Sequence, residues 1–180
     1  MVYVHLAYGF EEIEALTVVD LLRRVDVPAK LVSVTGEKKV TGAHNISVEA
    51  DLLFEEADYN ECQMIVLPGG LPGTFGLRDH EGLCAKITEF AAAGKKVSAI
   101  CAAPLVLGGL GVLEGKKATI YPGMEEHLAG AVHGEGRVVK DENIITSQGP
   151  GTAMDFALAI VETMCGEQVA EDLRKDLILK

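Results

Sequence analysis

The 180-residue sequence predicts an α/β protein in which a mostly parallel central sheet is covered by helices on both faces. Segments typical of strands alternate with segments typical of helices, the pattern of parallel strands joined by helical crossovers. The strand segments are short and almost continuously apolar, as expected for strands buried on both faces. Because no linker, composition shift or internal repeat divides the sequence, we expect one domain over residues 1–180.

The first half of the chain is predicted to contain two helices and several strands. A helix over 11–25 is indicated because Ala15, Val18 and Leu22 recur at helical spacing, and Pro28 follows its end. A second helix over 81–93 is closed by Gly94. Strands are predicted at 2–7, 30–34 and 64–67, with short hairpin-like pieces at 39–41 and 46–48.

The second half continues the alternation. Residues 97–100 form a buried strand, and small residues at helical spacing follow directly over 102–110. Two strands at 137–139 and 143–146 flank a turn and are typical of a hairpin. Pro150 stands in the first turn of a helix that runs to 165. A short strand at 118–120 and a terminal helix with a tail over 167–180 complete the prediction.

The charge balance is acidic, with 27 Asp and Glu residues against 16 Lys and Arg residues and a net charge of −11. Nucleic acids and anionic membranes are bound through basic surfaces, so we expect neither as a partner. No apolar run approaches the length of a membrane span, and residues 1–12 lack the basic start and long apolar stretch of a signal peptide. We therefore expect a cytoplasmic protein.

The four cysteines, at positions 62, 84, 101 and 165, lie far apart in the sequence. They form no C-x-x-C pair, and no histidines stand at the spacing of a zinc site. In a chain with so large a core we expect free thiols rather than a disulfide framework. We also expect no metal and no organic cofactor.

Polar or glycine-rich segments follow three of the predicted strands. Residues 9–14 come after the first strand, residues 68–73 after the strand at 64–67, and Cys101 after the strand at 97–100. In an open parallel sheet, ligands bind at the carboxyl ends of strands near the point where strand order reverses. If these strands are central neighbours, a carboxylate, open backbone amides and a thiol meet in one cleft.

Each of these segments also has a purely structural interpretation. Acidic residues in the first turn of a helix are favoured by the helix dipole alone. Gly69 and Gly70 can form a simple tight turn, and their surroundings match no phosphate-binding loop. The occurrence of all three segments at successive strand ends favours the functional interpretation.

Cys101 stands at a predicted strand-to-helix turn, where the first free N–H groups of the helix point. Such donors stabilise a thiolate, the nucleophilic and oxidisable form of cysteine. The alternative is a small buried apolar residue, the usual place of a free cysteine. No histidine base is visible nearby: His5 lies within a strand, and the others lie in turn-like or polar segments at positions 44, 80, 127 and 133.

Four longer stretches relate the sequence to a known family. They are GFEEIEALTVVDLLRR at 9–24, VLPGG at 66–70, AICAAPLVLG at 99–108 and ITSQGPGTAMDFALAIVE at 145–162. Through them the chain resembles, nearly end to end, the ThiJ/PfpI superfamily, and within it the branch of the parkinsonism-associated protein deglycase and bacterial YajL. The resemblance implies a flavodoxin-like, doubly wound α/β sandwich that forms a homodimer.

The resemblance also implies roles for individual residues. Cys101 matches the reactive cysteine on a strained nucleophile elbow. Glu14 matches the acidic partner that hydrogen-bonds the cysteine and acts as general acid and base. Gly70 and Ala102 match positions whose backbone N–H groups form an oxyanion-hole-like pocket, and we add the neighbouring Gly69 as a candidate substrate-binding residue.

One position departs from the family pattern. The parkinsonism-associated member has a histidine directly before the proline that corresponds to Pro122, where this sequence has Tyr121. The peptidase-like branch has a histidine directly after the cysteine, where this sequence has Ala102. The departure argues against a protease- or amidase-type triad, and we include Tyr121 as a candidate substrate-binding residue.

Two functions follow from the resemblance, and both use the same residues. In the first, the protein is a cofactor-independent glyoxalase or deglycase whose partner is a small aldehyde or a glycated substrate. Cys101 then attacks a 2-oxoaldehyde or its early adduct, and Glu14 moves a proton between adjacent carbons. In the second, the protein is a non-catalytic oxidative-stress sensor or redox-regulated chaperone in which Cys101 is oxidised to a sulfinate. The sequence leaves both open.

Overall fold

Strands and helices alternate along the computed structural model, which describes residues 1–179; the predicted tail ends at Lys180, outside the described residues. The strands are β1 (Val2–Leu6), β2 (Ala29–Ser33), β3 (Lys39–Thr41), β4 (Ser47–Glu49), β5 (Leu52–Leu53), β6 (Met64–Leu67), β7 (Lys96–Ile100), β8 (Lys117–Ala118), β9 (Val132–His133), β10 (Val138–Asp141) and β11 (Ile144–Ser147). The α-helices are α1 (Glu12–Arg24), α2 (Gly73–Asp79), α3 (Glu81–Ala92), α4 (Pro104–Gly109), α5 (Ala153–Cys165) and α6 (Glu167–Asp176).

A seven-stranded sheet with the order β10-β11-β7-β6-β1-β2-β5 forms the centre of the fold. All neighbouring strands are parallel except the edge pair β10 and β11. The chain passes from β1 to β2 on one side and returns to β6 on the other side, so strand order reverses between β1 and β6. The predicted fold class, a flavodoxin-like, doubly wound α/β sandwich with a mostly parallel sheet, is confirmed.

The two faces of the sheet build separate cores because successive side chains of a strand point to opposite sides. Val2, Val4 and Leu6 of β1 pack in the core that contains α1, α5 and α6, whereas Tyr3 packs in the core that contains α3 and α4. β1, β6 and β11 are buried along their whole length. Burial on both faces explains why these strands consist mostly of apolar residues.

Two of the predicted elements differ from the structure, and one helix was not predicted. The strand predicted at 118–120 is only β8, which pairs with β9 outside the main sheet, because the N–H of Thr119 donates to Thr146 Oγ1 instead. The helix predicted from Pro150 opens with a 3₁₀ turn, and α5 begins at Ala153. α2 was not predicted, since its seven residues include two glycines and show no clear apolar period.

The long helices α1 and α5, with 13 residues each, pack against each other on one face of the sheet. Val19 and Leu21 of α1 are 5% and 1% exposed and belong to the core beside α5. Ile13 and Leu16 are instead the apolar residues that α1 leaves exposed. Among the described residues, no helix is long and apolar enough to cross a membrane.

Candidate active site

Three strand ends meet where strand order reverses. β1 leads to Glu14 in the first turn of α1, β6 leads to Gly69 and Gly70, and β7 ends directly before Cys101. A methyl group placed on Gly69 would lie 2.6 Å from Cys101 Cβ and 2.8 Å from Glu14 Oε2. The structure therefore brings together the carboxyl, the thiol and the glycine-rich loop, the three groups expected from the sequence.

Gly69 and Gly70 are required by this close approach. Gly69 fills the narrow space between Cys101 and Glu14, where any side chain would overlap both groups. Gly70 has a φ of +89° and lies against the backbone of Gly9 and Glu11. Because a left-handed φ and backbone contact both favour glycine, the Pro-Gly-Gly sequence after β6 is explained by the geometry of this site.

Glu14 is completely buried. Its Oε2 accepts a hydrogen bond of 2.7 Å from the N–H of Gly69, whereas Oε1 has no partner with hydrogen-bond geometry within residues 1–179. Burial disfavours the charged form and raises the pKa of Glu14 to about 7, although the N–H of Gly69 and the thiol of Cys101 act in the opposite direction. Glu14 is therefore a carboxyl group that both holds and releases a proton near neutral pH.

Cys101 adopts a φ of +64°, a left-handed conformation that is uncommon for a residue with a side chain. Its N–H donates to the carbonyl of Ser147 on the neighbouring strand, and its carbonyl accepts from the N–H of Tyr121. A turn over 101–103 then leads to Pro104, the first residue of α4. The backbone is thus fixed on both sides of the thiol, as in a nucleophile elbow.

The structure changes the predicted source of thiolate stabilisation, of which only the N–H of Ala102 remains. We expected a helix over 102–110 whose first N–H groups face Cys101, but α4 begins only at Pro104, which has no N–H. The amides that lower the pKa of Cys101 belong to Ala102 and Gly70, and neither donates to a backbone carbonyl in the described chain. These were the two amides that the family resemblance had indicated.

The pKa of Cys101 is also raised rather than lowered. Burial is the largest cause, followed by the negative charge of the adjoining Glu14 carboxylate, and together they raise the pKa of Cys101 to about 12. Thiolate and carboxylate repel each other in this buried site, so the pair titrates as a unit: it loses its first proton near neutral pH and keeps the second well above it. When that proton resides on Glu14, Cys101 is a thiolate facing the amides of Gly70 and Ala102.

We expect iodoacetamide to alkylate Cys101 before the other three cysteines at neutral pH. The rate of Cys101 alkylation should rise once with increasing pH, near the pKa of Glu14, because loss of the first proton from the pair creates the thiolate. In Glu14→Gln this rise should move to higher pH, because the buried thiol then ionises alone. Peptide mapping by mass spectrometry, from about pH 5 to about pH 10, measures the rate at each cysteine.

Cys62 is the internal reference for that measurement. It is 1% exposed, so the reagent cannot reach its sulfur, and it should remain unlabelled in the folded protein. Labelling of Cys84 or Cys165 ahead of Cys101 would contradict the shared-proton interpretation.

An open cleft of about 360 Å³ lies above the thiol. Besides Cys101 its wall is formed mainly by apolar groups, with Leu71 and Tyr121 51% and 47% exposed at the rim. The complete lining is Gly70, Leu71, Cys101, Ala102, Tyr121, Pro122 and Met124. Leu71, Pro122 and Met124 were not anticipated, because they lie in irregular segments where no periodicity marks the residues that face a cleft.

No histidine lines this cleft within the part of the chain that the structure describes. His5 is fully buried, as expected from its place in a strand, and its Nε2 is hydrogen-bonded to the hydroxyl of Tyr59 at 2.7 Å. His80 accepts a hydrogen bond from the N–H of Leu83 at the start of α3. Among the described residues, the structure therefore places the Glu14 carboxyl, and no imidazole, beside the Cys101 thiol.

The fold and the site define a class of α/β proteins that carry a cysteine at a strand-to-helix turn and a buried carboxyl group at the switch point of the sheet. The sequence matches the DJ-1/PfpI family over residues 1–163, and the chain belongs to that family. The resemblance to the ThiJ/PfpI superfamily is thereby confirmed.

Relatives in plants, archaea and protozoa share this architecture or sequence. DJ-1 homolog B of Arabidopsis thaliana is 39% identical over 97% of the chain, and a Pyrococcus abyssi protein named as a deglycase is 37% identical over 62% of the chain and 68% of its own length. The chain spans less than half the length of the Arabidopsis homologs B and A, 40% and 45% respectively. Oxidised Toxoplasma gondii DJ-1 superposes with a TM-score of 0.95 at 35% identity, covering 99% of this chain and 97% of that one.

Proposed function

We propose that the protein is a cysteine-dependent, cofactor-free glyoxalase or deglycase that acts on 2-oxoaldehydes or on their early adducts. The observation that supports this proposal is the fully buried Glu14 carboxyl, with a pKa raised by burial to about 7, beside Cys101 at the base of an open cleft. A group with a pKa near the working pH is an effective general acid and base. The deglycase name of the Pyrococcus abyssi relative agrees with this substrate class.

The first step is addition of the thiolate to the aldehyde. The sulfur of Cys101 forms a bond to the aldehyde carbon, and the carbonyl electron pair moves onto oxygen to give a hemithioacetal. The amides of Gly70 and Ala102, which face the thiol, are placed to donate to that oxygen as negative charge develops. In the reactive tautomer Glu14 holds the proton of the pair and delivers it to the same oxygen.

The second step moves hydrogen between the two carbons of the former 2-oxoaldehyde. The ionised Glu14 removes the proton from the carbon bonded to sulfur, giving an enediol, and a proton is returned to the neighbouring carbon. The product is a thioester of a 2-hydroxy acid. Water then cleaves the thioester and restores the thiol, so that one aldehyde and one water give one 2-hydroxy acid without an external oxidant.

The test is steady-state conversion of methylglyoxal to lactate by purified protein treated with a chelator. Cys101→Ser should abolish turnover, whereas Cys165→Ser, which alters a half-buried thiol at the end of α5, should retain it. Equal turnover by wild type and Cys101→Ser would overturn the proposal. Release of free amine from a methylglyoxal-treated peptide, measured with the same two variants, tests the deglycase activity.

A redox sensor is the second candidate function. Cys101 is only half-buried, and a Toxoplasma gondii relative of the same fold is described in an oxidised form. Peroxide should then add two oxygen atoms to Cys101 to give a sulfinate, detected by intact-mass and peptide analysis. Oxidation at Cys101 in a protein that does not turn over methylglyoxal would favour the sensor over the enzyme.

We expect Tyr121→Phe to retain most of the turnover and Tyr121→His to be tolerated. The backbone N–H of Tyr121, which all three residues possess, binds the carbonyl of Cys101 at 2.9 Å, so the elbow stays in place. A phenol is a poor proton acceptor at neutral pH, whereas an imidazole accepts a proton readily. Abolished turnover in Tyr121→Phe, with unchanged Cys101 alkylation, would make the phenol a catalytic group.

We further propose that the protein forms a homodimer through the start of α1. Ile13 and Leu16 of that helix, and Ile46 in the nearby loop between β3 and β4, are 55%, 36% and 54% exposed. Exposed apolar residues that cluster in this way favour a protein interface. Light scattering at micromolar concentration should give twice the chain mass for wild type and a single chain for Ile13→Asp. A monomeric wild-type protein would contradict the proposal.

A further inference from the structure

Three metal-ligating side chains meet outside the cleft, where the loop between β3 and β4 contacts the start of α1. His44 Nδ1 lies 2.8 Å from Glu12 Oε2 and 3.7 Å from Glu11 Oε2. One ligand atom from each of the three residues lies within 4.8 Å of the others. The sequence does not reveal this cluster, because 32 positions separate Glu12 from His44.

The side chains of Glu11 and Glu12 differ in the number of hydrogen bonds that they accept. Glu12 accepts hydrogen bonds of 2.8 Å from both the N–H and the ring of His44. The side chain of Glu11 is only 10% exposed, yet within residues 1–179 it has no hydrogen bond, and His44 is its one cationic neighbour. Glu11 is therefore held less tightly than Glu12, and its nearest basic group is His44 at 3.7 Å.

The cluster sets two carboxyl groups against one imidazole, so acidic groups outnumber basic ones among its members. A divalent cation would balance both while His44 stays neutral and binds through its ring nitrogen.

The three groups are held in place before any ligand binds. The N–H of Ala43 donates to the carbonyl of Phe10, which ties the loop to the segment before α1. Gly42 lies directly against the Glu12 carboxyl, where a side chain would overlap it. The loop and the helix start therefore present their ligand atoms as a fixed set, which lowers the ordering cost of binding.

We propose that Glu11, Glu12 and His44 form a binding site for a divalent transition-metal ion, best matched by Zn²⁺. Ligand atoms at about 2.1 Å from a tetrahedral zinc ion stand about 3.4 Å apart, and the two distances from His44 Nδ1 bracket that spacing. One imidazole nitrogen with two carboxylate oxygens suits zinc better than Ca²⁺ or Mg²⁺, which prefer oxygen ligands alone. His44 is 65% exposed, so its side of the site is open to a water molecule as the fourth ligand.

The test is zinc binding by the full chain in a Cys101→Ser background, which removes the reactive thiol as a competing ligand. Chelator-treated protein is titrated with Zn²⁺ against a chromophoric zinc indicator, and Mg²⁺ is added as a competitor. We expect one zinc ion per chain, no competition by Mg²⁺, and at least about tenfold weaker binding in both His44→Gln and Glu11→Gln. His127→Gln, an exposed histidine with Glu126 at 3.8 Å, is the matched control and should bind zinc normally.

Any other result of the titration would contradict the proposed zinc site. Stoichiometric zinc binding that survives His44→Gln or Glu11→Gln would place the ion elsewhere, and the absence of stoichiometric binding would leave only a histidine–carboxylate ion pair. The Co²⁺-loaded protein offers a second readout: its visible spectrum should be lost in His44→Gln and kept in His127→Gln. Because every measurement uses Cys101→Ser, the outcome is independent of the proposed glyoxalase activity.

Discussion

Replacing Glu14 with glutamine should lower the turnover of methylglyoxal by about 10²- to 10⁴-fold, the usual contribution of a positioned general acid–base group. Glutamine retains the size of the side chain and an oxygen that accepts the N–H of Gly69, but it cannot take up or release a proton. The proposed transfer between the two substrate carbons passes through that proton. The loss should therefore appear in kcat, with a smaller effect on KM.

Asp20→Asn is the matched control for this measurement. Asp20 is an exposed acid on the same helix, and it forms a surface ion pair with Arg24 at 2.7 Å. Its turnover should equal that of wild type. A wild-type kcat in Glu14→Gln would contradict an acid–base role for Glu14. It would indicate that Glu14 only stabilises the start of α1.

The same substitution should change the pH dependence of stability by up to about 3 kcal/mol. Burial raises the pKa of Glu14 to about 7 in the folded protein from an ordinary value of 4.5, and each pH unit between these values corresponds to about 1.36 kcal/mol. Since the folded pKa is the higher one, the folded chain binds the proton more tightly than the unfolded chain. The resulting stabilisation is complete below 4.5 and is lost as pH rises through about 7.

Glu14→Gln has no proton to lose in this window. The free energy of unfolding of the variant, relative to wild type, should therefore increase by up to about 3 kcal/mol between about pH 4.5 and about pH 8. Urea denaturation at the two pH values measures this difference. Glu81→Gln, which alters an exposed acid in the first turn of α3, should show no such change. A parallel pH response in wild type and Glu14→Gln would show that folding does not raise the pKa of Glu14.

The sheet was predictable because its strands are buried on both faces and therefore consist mostly of apolar residues. The ends of β6 and β7 followed from the Pro-Gly-Gly sequence and from Cys101, and their convergence with Glu14 followed from the rule for open parallel sheets. α2 was missed because two of its seven residues are glycines, so that it lacks the period of a longer helix.

The electrostatics of the site were not predictable in the same way. The sign of the pKa change at Cys101 is set by burial and by Glu14, a residue on another element, whereas the sequence suggested only the local turn. The contact between His44 and Glu12 likewise joins a loop to a helix start that are distant in the chain. Sequence patterns indicated the candidate groups, whereas the direction of their pKa changes depends on three-dimensional packing.

The left-handed backbone of Cys101 has a consequence for how this chain can evolve. A residue with a side chain held in that conformation costs about 1–3 kcal/mol, and glycine would remove most of the cost. Random drift without selection on the thiol would therefore tend to replace Cys101 with glycine and yield a more robust protein. A cysteine at this position is maintained against that tendency only while its sulfur benefits the organism.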